Sequence, residues 1–424
     1  MNAHQHPDPV GHPSADDRRS FVIVGGGQTG AVAAIALRDE GFAGRIILVG
    51  EEPHLPYERP PLSKDVLIQP ERAKVTIHDA GVYADRAIET RLGRRAAAID
   101  RGARILTLDD GEAIAYDRLL IATGARPRPY PLLDALGAGV FTMRTLGDAE
   151  ALRAAIGPGK RLLVVGGGVI GLEVAASATV LGASVTVIER GDRLMARAAP
   201  QPLADVLMAL HRARGVTFAF GAALARAERE AGGGFVLTCE DGRSFEGDVI
   251  VYGIGVALNT ELAAAAGLAV DNGIVTDEYG RTSDPAIFAA GDVAHQWRPV
   301  LGRHVRQETW QNARVQGAAV AAAMVRDVPC ADELPWYWTD QYESNFQVAG
   351  SPEAADWIRR GDDAAARYTL FGVTDGRIVG AVTVDNGREM RPAKDLIASG
   401  RVIADLDALR DPKQDLRKLA AALR

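Results

Sequence analysis

The chain has 424 residues, 47% of them hydrophobic and 24% charged, with a formal net charge of −7. That length is enough for two or three domains with ample core, and the composition is that of an ordinary globular protein. The acidic balance argues against nucleic acid or an anionic membrane as partner. No apolar run approaches a membrane span and no signal peptide opens the chain, so a cytoplasmic protein is expected.

Residues 1–19 carry His4, His6 and His12 among Pro, Asp and Gly. A metal-binding tail is one reading and a disordered leader the other; composition favours the leader, and no metal site is expected. The first ordered stretch is Phe21-Val22-Ile23-Val24 running into Gly25-x-Gly27-x-x-Gly30, then an Ala-rich helix over 31–37 and a strand over 45–49 that ends at Glu51 and Glu52. This is a βαβ unit for a dinucleotide. Gly25 allows the tight turn, Gly27 the approach of the pyrophosphate and Gly30 close helix–strand packing, while Glu51 is placed to accept from the adenosine ribose. The phosphates meet the unpaired N–H groups and positive dipole end of the helix.

Pro56-Tyr57-Glu58-Arg59-Pro60-Pro61-Leu62-Ser63-Lys64 follows. The prolines fix an extended or turning backbone, and Ser63 is expected to cap what comes next. The segment reads equally as a rigid loop or as the carrier of Lys64, a cation suited to stabilising a reduced, anionic flavin ring. Strands are expected over 104–108 and 113–121 around Asp109-Asp110-Gly111, the second closing on Ala122-Thr123-Gly124-Ala125-Arg126-Pro127 as a crossover between domains.

The fingerprint then recurs. Arg161-Leu162-Leu163-Val164-Val165 leads into Gly166-x-Gly168-x-x-Gly171, an Ala-rich helix to about Leu181, and a strand, Ser184–Ile188, ending at Glu189. Two complete units mean two dinucleotides on one chain. A helix over 202–214 and strands near 216–220 and Phe235–Cys239 complete this region, and a buried strand over 248–255 leads back towards the first domain. Asp292, in Gly291-Asp292-Val293 after another strand, is sited for a cofactor ribityl hydroxyl, although Gly-Asp alone is usually a turn. Glu308-Thr309-Trp310-Gln311-Asn312 opens a helix to about Val325 whose N-terminus can face a flavin pyrimidine edge. The aromatic run Trp336-Tyr337-Trp338 begins a different texture, with strands near 346–350, 368–373 and Arg377–Val384 and helices over 392–398 and 413–423. It reads as an α+β domain whose aromatics either fill a core or stack on a cofactor.

Only two cysteines occur, Cys239 and Cys330, outside any C-x-x-C pairing. This points to a reducing compartment. It also excludes a flavin-to-dithiol enzyme and an iron–sulfur cluster on this chain, so electrons must leave from the flavin.

Arg59-Pro60-Pro61-Leu62-Ser63-Lys64, Ala122-Thr123-Gly124, Gly166 to Glu173, Gly291-Asp292-Val293, Glu308-Thr309-Trp310-Gln311-Asn312-Ala313 and Pro335 to Gln341 span nearly the whole chain in order. Together they resemble the NADH-dependent ferredoxin reductases that serve bacterial oxygenases, above all the reductase component of biphenyl-type aromatic-ring dioxygenases. Putidaredoxin and rubredoxin reductases are more distantly similar. The resemblance implies an α/β fold of the glutathione-reductase kind, with two Rossmann-like domains and a C-terminal α+β domain over the flavin. The FAD-binding domain would occupy 20–121 and 243–326, the NAD-binding domain 122–242 and the C-terminal domain 327–424.

The same resemblance implies that FAD is held by Gly25, Gly27, Gly30 and Glu51. Lys64 would lie by the isoalloxazine, Arg126 near the phosphates or adenosine, Asp292 on the ribityl chain and Trp310 at the pyrimidine edge. NADH would use Gly166, Gly168 and Gly171. Glu173 would pair with Lys64 and meet the nicotinamide carboxamide, and Trp338 would lie beside the flavin. Glu189 favours NADH over NADPH, because a carboxylate accepts from a 2′-hydroxyl and repels a 2′-phosphate, although Arg190 and Arg193 follow closely. Lys64, Glu173 and Trp338 are thus the expected catalytic group.

The implied activity passes electrons from NADH through FAD to a [2Fe–2S] ferredoxin, expected to be Rieske-type, that feeds an aromatic-ring-hydroxylating oxygenase. Arg303, His304, Arg306, Arg388, Arg391 and Lys394 would offer it a basic docking face, or are simply solvated. The alternatives are a flavin-dependent NADH oxidase, a rubredoxin reductase, or a non-enzymatic signalling role like that of apoptosis-inducing relatives.

Overall fold

The computed structural model describes residues 17–361 and 366–422. The leader expected over 1–19 lies outside the described residues except for its last three. By contact, the chain divides into two compact units. The first comprises residues up to 58, 75–126 and 257–333; the second comprises 59–74, 127–256 and 334–424.

The first unit is built on a five-stranded parallel sheet in the order Ile287–Ala289, Arg118–Ile121, Ser20–Val24, Arg45–Gly50, Ile88–Leu92. Val, Ile, Leu and Phe dominate the three inner strands because both faces are covered, which is where a parallel sheet is stable. The helices Gln28–Asp39 and Trp310–Arg326 cover one face, packing with Phe21, Ile23, Leu48 and Phe288. On the other face lies an antiparallel meander, Ala96–Asp100, Ile105–Leu108 and Ala113–Ala115, over Val22, Val24 and Ile121. The expected strand 113–121 is therefore two strands. The chain changes sheets at Tyr116 and Asp117, whose N–H groups donate to Arg104 and to Ser20. Arg38, on the first helix, is 1% exposed. Its guanidinium donates to the carbonyls of Phe42, Gly44, Arg86 and Ala87 at 2.6–3.0 Å, closing the turn after its own helix.

The chain leaves this unit at Glu58 and returns at Val75. The two ends are joined like a neck, with Glu58 N–H donating to Val75 O at 2.7 Å and Ile77 N–H to Pro56 O at 3.0 Å.

The second unit carries its own five-stranded parallel sheet in the order Thr217–Ala219, Ser184–Ile188, Arg161–Val165, Val249–Tyr252, Val140–Phe141. The helix Val169–Val180 follows its central strand, and Leu224–Arg229, Phe235–Cys239 and Ser244–Gly247 form an antiparallel sheet beside it. Ser244–Gly247 and Val249–Tyr252 complete these sheets, so this stretch of the second unit runs from 127 to 256, where the sequence places the domain at 122–242.

The C-terminal stretch forms an antiparallel sheet in the order Trp336–Gln341, Ser344–Gly350, Arg377–Val384, Tyr368–Thr374, Asp356–Arg360. One side packs through Phe346, Val348, Leu370 and Val382 onto Leu203 and Leu207 of the helix Gln201–Arg212. The other side is closed by the helices Met390–Ser399 and Leu416–Ala422. Among the described residues no helix is long and apolar enough to cross a membrane.

Candidate functional site

Each fingerprint forms the same cradle. Gly25 has φ +125°, and a Cβ there would stand 2.2 Å from Ala122 O. Gly166 has φ +109°, and its Cβ would stand 2.5 Å from Gly253 O. Only glycine fits either turn. A Cβ on Gly30 would meet Gly25 O at 1.9 Å and one on Gly171 would meet Gly166 O at 2.2 Å, so the third glycine lets each helix touch its own turn.

The middle glycines differ in kind. A Cβ on Gly27 or on Gly168 would meet nothing within 4 Å. Both are extended N-caps without a side-chain capping bond. Two helix N-termini capped by glycines with open space at the Cβ position fit two pyrophosphates. Beside the first, Gln28 Oε1 is buried with no hydrogen-bond partner among the described residues, an acceptor left for a ligand hydroxyl.

The remaining expected residues of the first unit vary in setting. Glu51 is exposed just past its strand, while its neighbour Glu52 accepts from Tyr57 Oη at 2.5 Å. Glu51 is thus the outward carboxylate of the two. Arg126 is exposed and engaged with its own surface, donating to Glu261 Oε1 at 2.6 Å and to Asn259 Oδ1 at 2.7 Å. Asp292 sits half-buried in a single 3₁₀ turn, Gly291–Val293. That turn is fixed by Gly291 N–H donating to Gln316 Oε1 at 2.7 Å, and Gln316 Nε2 donates on to Gln296 Oε1 at 2.9 Å. This buried amide pair was not evident from sequence. Trp310 opens its helix after Thr309, whose hydroxyl accepts from Asn312 N–H at 3.1 Å, and Arg314 lies over its ring at 5.7 Å.

In the second unit the prolines start a 3₁₀ turn, Pro60–Ser63, that presents Ser63 and Lys64 to the helix Val169–Val180. Lys64 Nζ lies 3.1 Å from Glu173 Oε1, and Glu173 is only 4% exposed. Ser63 Oγ donates to Glu173 Oε2 and Ser177 Oγ to Ser63 O at 2.7 Å. Ser63 therefore does not cap the short helix Asp65–Ile68. Its hydroxyl is drawn onto a buried carboxylate, which rewards a donor more than an exposed helix end does.

The strand Trp336–Gln341 reaches the same carboxylate. Alternation puts Tyr337, Thr339 and Gln341 on one face, and all three bond to residues between 173 and 211. Tyr337 Oη donates to Ala198 O at 2.8 Å, and Thr339 Oγ1 to Glu173 Oε1 at 2.7 Å. Gln341 Oε1 lies 2.7 Å from His211 Nε2. Burial pushes the Tyr337 hydroxyl far above the ordinary tyrosine range and holds the His211 imidazole below the ordinary histidine value. The opposite face carries Trp336 and Trp338, stacked with centroids 5.4 Å apart, with Trp338 Nε1 donating to Asp340 Oδ2 at 3.0 Å. The geometry thus joins Lys64 and Thr339 to Glu173. Sequence reading passed over Ser63, Thr339, Gln341 and His211 as partners. One signal was present: Glu173 and Ser177, i and i+4, are polar neighbours on an otherwise apolar helix face.

Glu189 ends its strand as a strut. Its Oε2 accepts from Gly167 N–H and its Oε1 from Gly191 N–H, each at 2.6 Å. Arg193 donates to Ala199 O and Ala196 O at 2.9 and 2.7 Å, while Arg190 is exposed. Both cysteines are free, and burial raises their thiols above the ordinary cysteine value, which disfavours thiolate chemistry. Among the described residues no cluster of three or more His, Cys, Asp or Glu is arranged to hold a metal ion.

Residues 19–317 match the family described as pyridine nucleotide-disulphide oxidoreductase, and residues 336–420 match one described as reductase C-terminal. The chain is 45% identical over 381 residues to the 3-phenylpropionate/cinnamic acid dioxygenase ferredoxin–NAD(+) reductase component of Photorhabdus laumondii, covering 90% of this chain and 96% of that one. It is also 45% identical over 400 residues to the anthranilate 1,2-dioxygenase system ferredoxin–NAD(+) reductase component of Burkholderia cepacia, covering 94% and 98%. Among solved structures, the covalent putidaredoxin reductase–putidaredoxin complex aligns with a TM-score of 0.88 and 35% identity, covering 96% of this chain and 99% of that one.

Proposed function

From its membership of the pyridine nucleotide-disulphide oxidoreductase family, we propose that the chain is an FAD-dependent NADH:ferredoxin reductase that supplies an aromatic-ring-hydroxylating oxygenase. The observation that carries this reading is the pair of matching dinucleotide cradles on a chain without a cysteine pair. The two related dioxygenase components support it, as does the likeness to a reductase bound to its iron–sulfur partner. The ferredoxin is proposed to be a Rieske-type [2Fe–2S] protein and the setting cytoplasmic.

When bound, FAD takes up a hydride equivalent and gives out single electrons, the chemistry that links a nicotinamide to an iron–sulfur acceptor. The chain's own task is to bind, orient and exclude water. Gly25, Gly27 and Gly30 are proposed to hold the FAD pyrophosphate, with Glu51 on the ribose, Asp292 on the ribityl chain and Trp310 at the pyrimidine edge. Arg126, tied to Glu261 here, would reach the adenosine or phosphates only by leaving that pair. Gly166, Gly168 and Gly171 are proposed to hold NADH, with Glu189 accepting from its 2′-hydroxyl through lone pairs not used by Gly167 and Gly191. Glu173 is proposed to accept from the nicotinamide carboxamide, with Lys64 and Trp338 serving the flavin. The domain roles follow: FAD on the first unit and NADH on residues 127–256.

Anaerobic stopped-flow absorbance tests this. NADH should bleach the flavin rapidly, and a Rieske-type ferredoxin added next should restore the colour as it is reduced. A flavin that bleaches, ignores the iron–sulfur protein and recovers only with oxygen would make the chain an NADH oxidase.

A further inference from the structure

Behind Glu173 a line of buried side chains runs away from the proposed nicotinamide site. Thr339 Oγ1 is 2.7 Å from Glu173 Oε1, Gln341 Nε2 is 3.1 Å from Thr339 Oγ1, and His211 Nε2 is 2.7 Å from Gln341 Oε1. Tyr342 Oη lies 3.0 Å from His211 Nδ1. Thr339, Gln341 and His211 are each fully buried.

The direction of every bond follows from the first. Glu173, paired with Lys64, accepts only. Thr339 must therefore donate its single hydroxyl hydrogen to Glu173, and its oxygen accepts from the Gln341 amide. That turns the Gln341 carbonyl towards His211, so Nε2 carries the imidazole hydrogen. Nδ1 is then an acceptor for the Tyr342 hydroxyl. The five groups form one donor chain pointing at the carboxylate. Three side chains so deeply buried could be replaced by apolar ones at little cost to packing, so their polarity calls for a use.

We propose that Thr339, Gln341 and His211 are positioning residues that lock Glu173 in the orientation in which it receives the nicotinamide carboxamide. This rests on the role proposed above for Glu173. With Lys64 and Thr339 on Oε1 and Ser63 on Oε2, the carboxylate plane is fixed before the nucleotide arrives. Preorganisation of this kind raises affinity by removing an ordering cost from binding. The effect is confined to the nicotinamide end, since none of the chain's members touches the Gly166–Gly171 cradle through these bonds.

The test is a binding titration of the FAD-loaded enzyme with two probes, NAD+ and ADP-ribose, which lacks the nicotinamide. Gln341→Leu interrupts the chain and should weaken NAD+ about tenfold while leaving ADP-ribose unchanged. Equal losses for both probes, or no loss for either, would overturn the proposal. Glu173→Gln separates the two levels: if it leaves NAD+ affinity intact, the role of Glu173 itself fails, whatever Gln341→Leu does. Should Gln341→Leu not fold, ¹⁵N NMR of the unaltered holoenzyme decides. His211 must be neutral at pH 7 with its hydrogen on Nε2; an Nδ1–H tautomer or an imidazolium would sink the relay.

Discussion

At the residue scale, the two glycine triplets divide their work in the same way, and the division is open to a direct test. Gly25→Ala and Gly166→Ala place a Cβ against a carbonyl in a left-handed turn, so both should fold poorly, with losses of several kcal/mol. Gly27→Ala and Gly168→Ala meet open space. They should keep thermal stability within a few degrees while losing, respectively, retained FAD on gel filtration and affinity for NAD+. A fold broken equally by all four would show that the middle glycines serve packing. The buried ion pair makes a second prediction. Lys64→Met should cost about 3–5 kcal/mol in urea unfolding, because it strands the buried Glu173 carboxylate, and Glu173→Leu should cost less, because Lys64 is only half-buried. The double substitution should cost clearly less than the sum.

The strained glycines were legible because sterics leave glycine no substitute in a left-handed turn against a carbonyl. The partners of Glu173 were not, because Ser63, Thr339 and Gln341 are common residues whose importance comes only from where the fold brings them.

At the element scale, the strand Trp336–Gln341 shows how an aromatic run can mislead. The tryptophans draw the eye, yet it is Thr339, on the other face, that bonds the carboxylate, while Tyr337 between them reaches Ala198 O. Thr339→Val should therefore lower stability by about 1–3 kcal/mol, since it removes a buried donor from a charged acceptor. Trp338→Phe, on the opposite face, should cost less although it deletes more atoms. Chemical denaturation of the two variants side by side decides the order.

Most elements with a clear period or a glycine terminus lie where sequence puts them: Ser184–Ile188, Phe235–Cys239 and Arg377–Val384 agree to the residue. The exception at 113–121 arises because a run of apolar residues carries no mark of which sheet it joins. Tyr116 and Asp117 bond to two different elements, a tertiary decision that local propensity does not record.

At the scale of the whole molecule, acid should loosen the fold before its carboxylates titrate. Burial holds His78, His211 and His295 below the ordinary histidine value. Above about pH 6.5 these imidazoles are neutral in both the folded and unfolded chain and contribute nothing to the pH dependence. As pH falls below that value the unfolded chain takes up protons that the folded one refuses, so stability drops, by up to about 1.4 kcal/mol per pH unit for each such group. Unfolding free energies at pH 7.5 and 5.5 should differ accordingly, and His211→Asn should flatten the slope. A slope unchanged by that substitution would mean that the imidazole takes up its proton equally in the native and unfolded protein.

The doubled fingerprint made two cofactor regions legible, but the excursion of 59–74 into the second unit was not, since no local pattern says which body a proline-rich loop will join. That excursion bears on how such proteins can be recombined. A segment cut at 127 and 256 would look like a portable nicotinamide-binding module, with its sheet and fingerprint intact. It would carry Glu173 without Lys64, Ser63 or Thr339, a buried acid stripped of all three donors. Chimeras that exchange this module between relatives should therefore succeed only when the short proline loop and the C-terminal sheet travel with it, so the unit of inheritance is three stretches of gene rather than one.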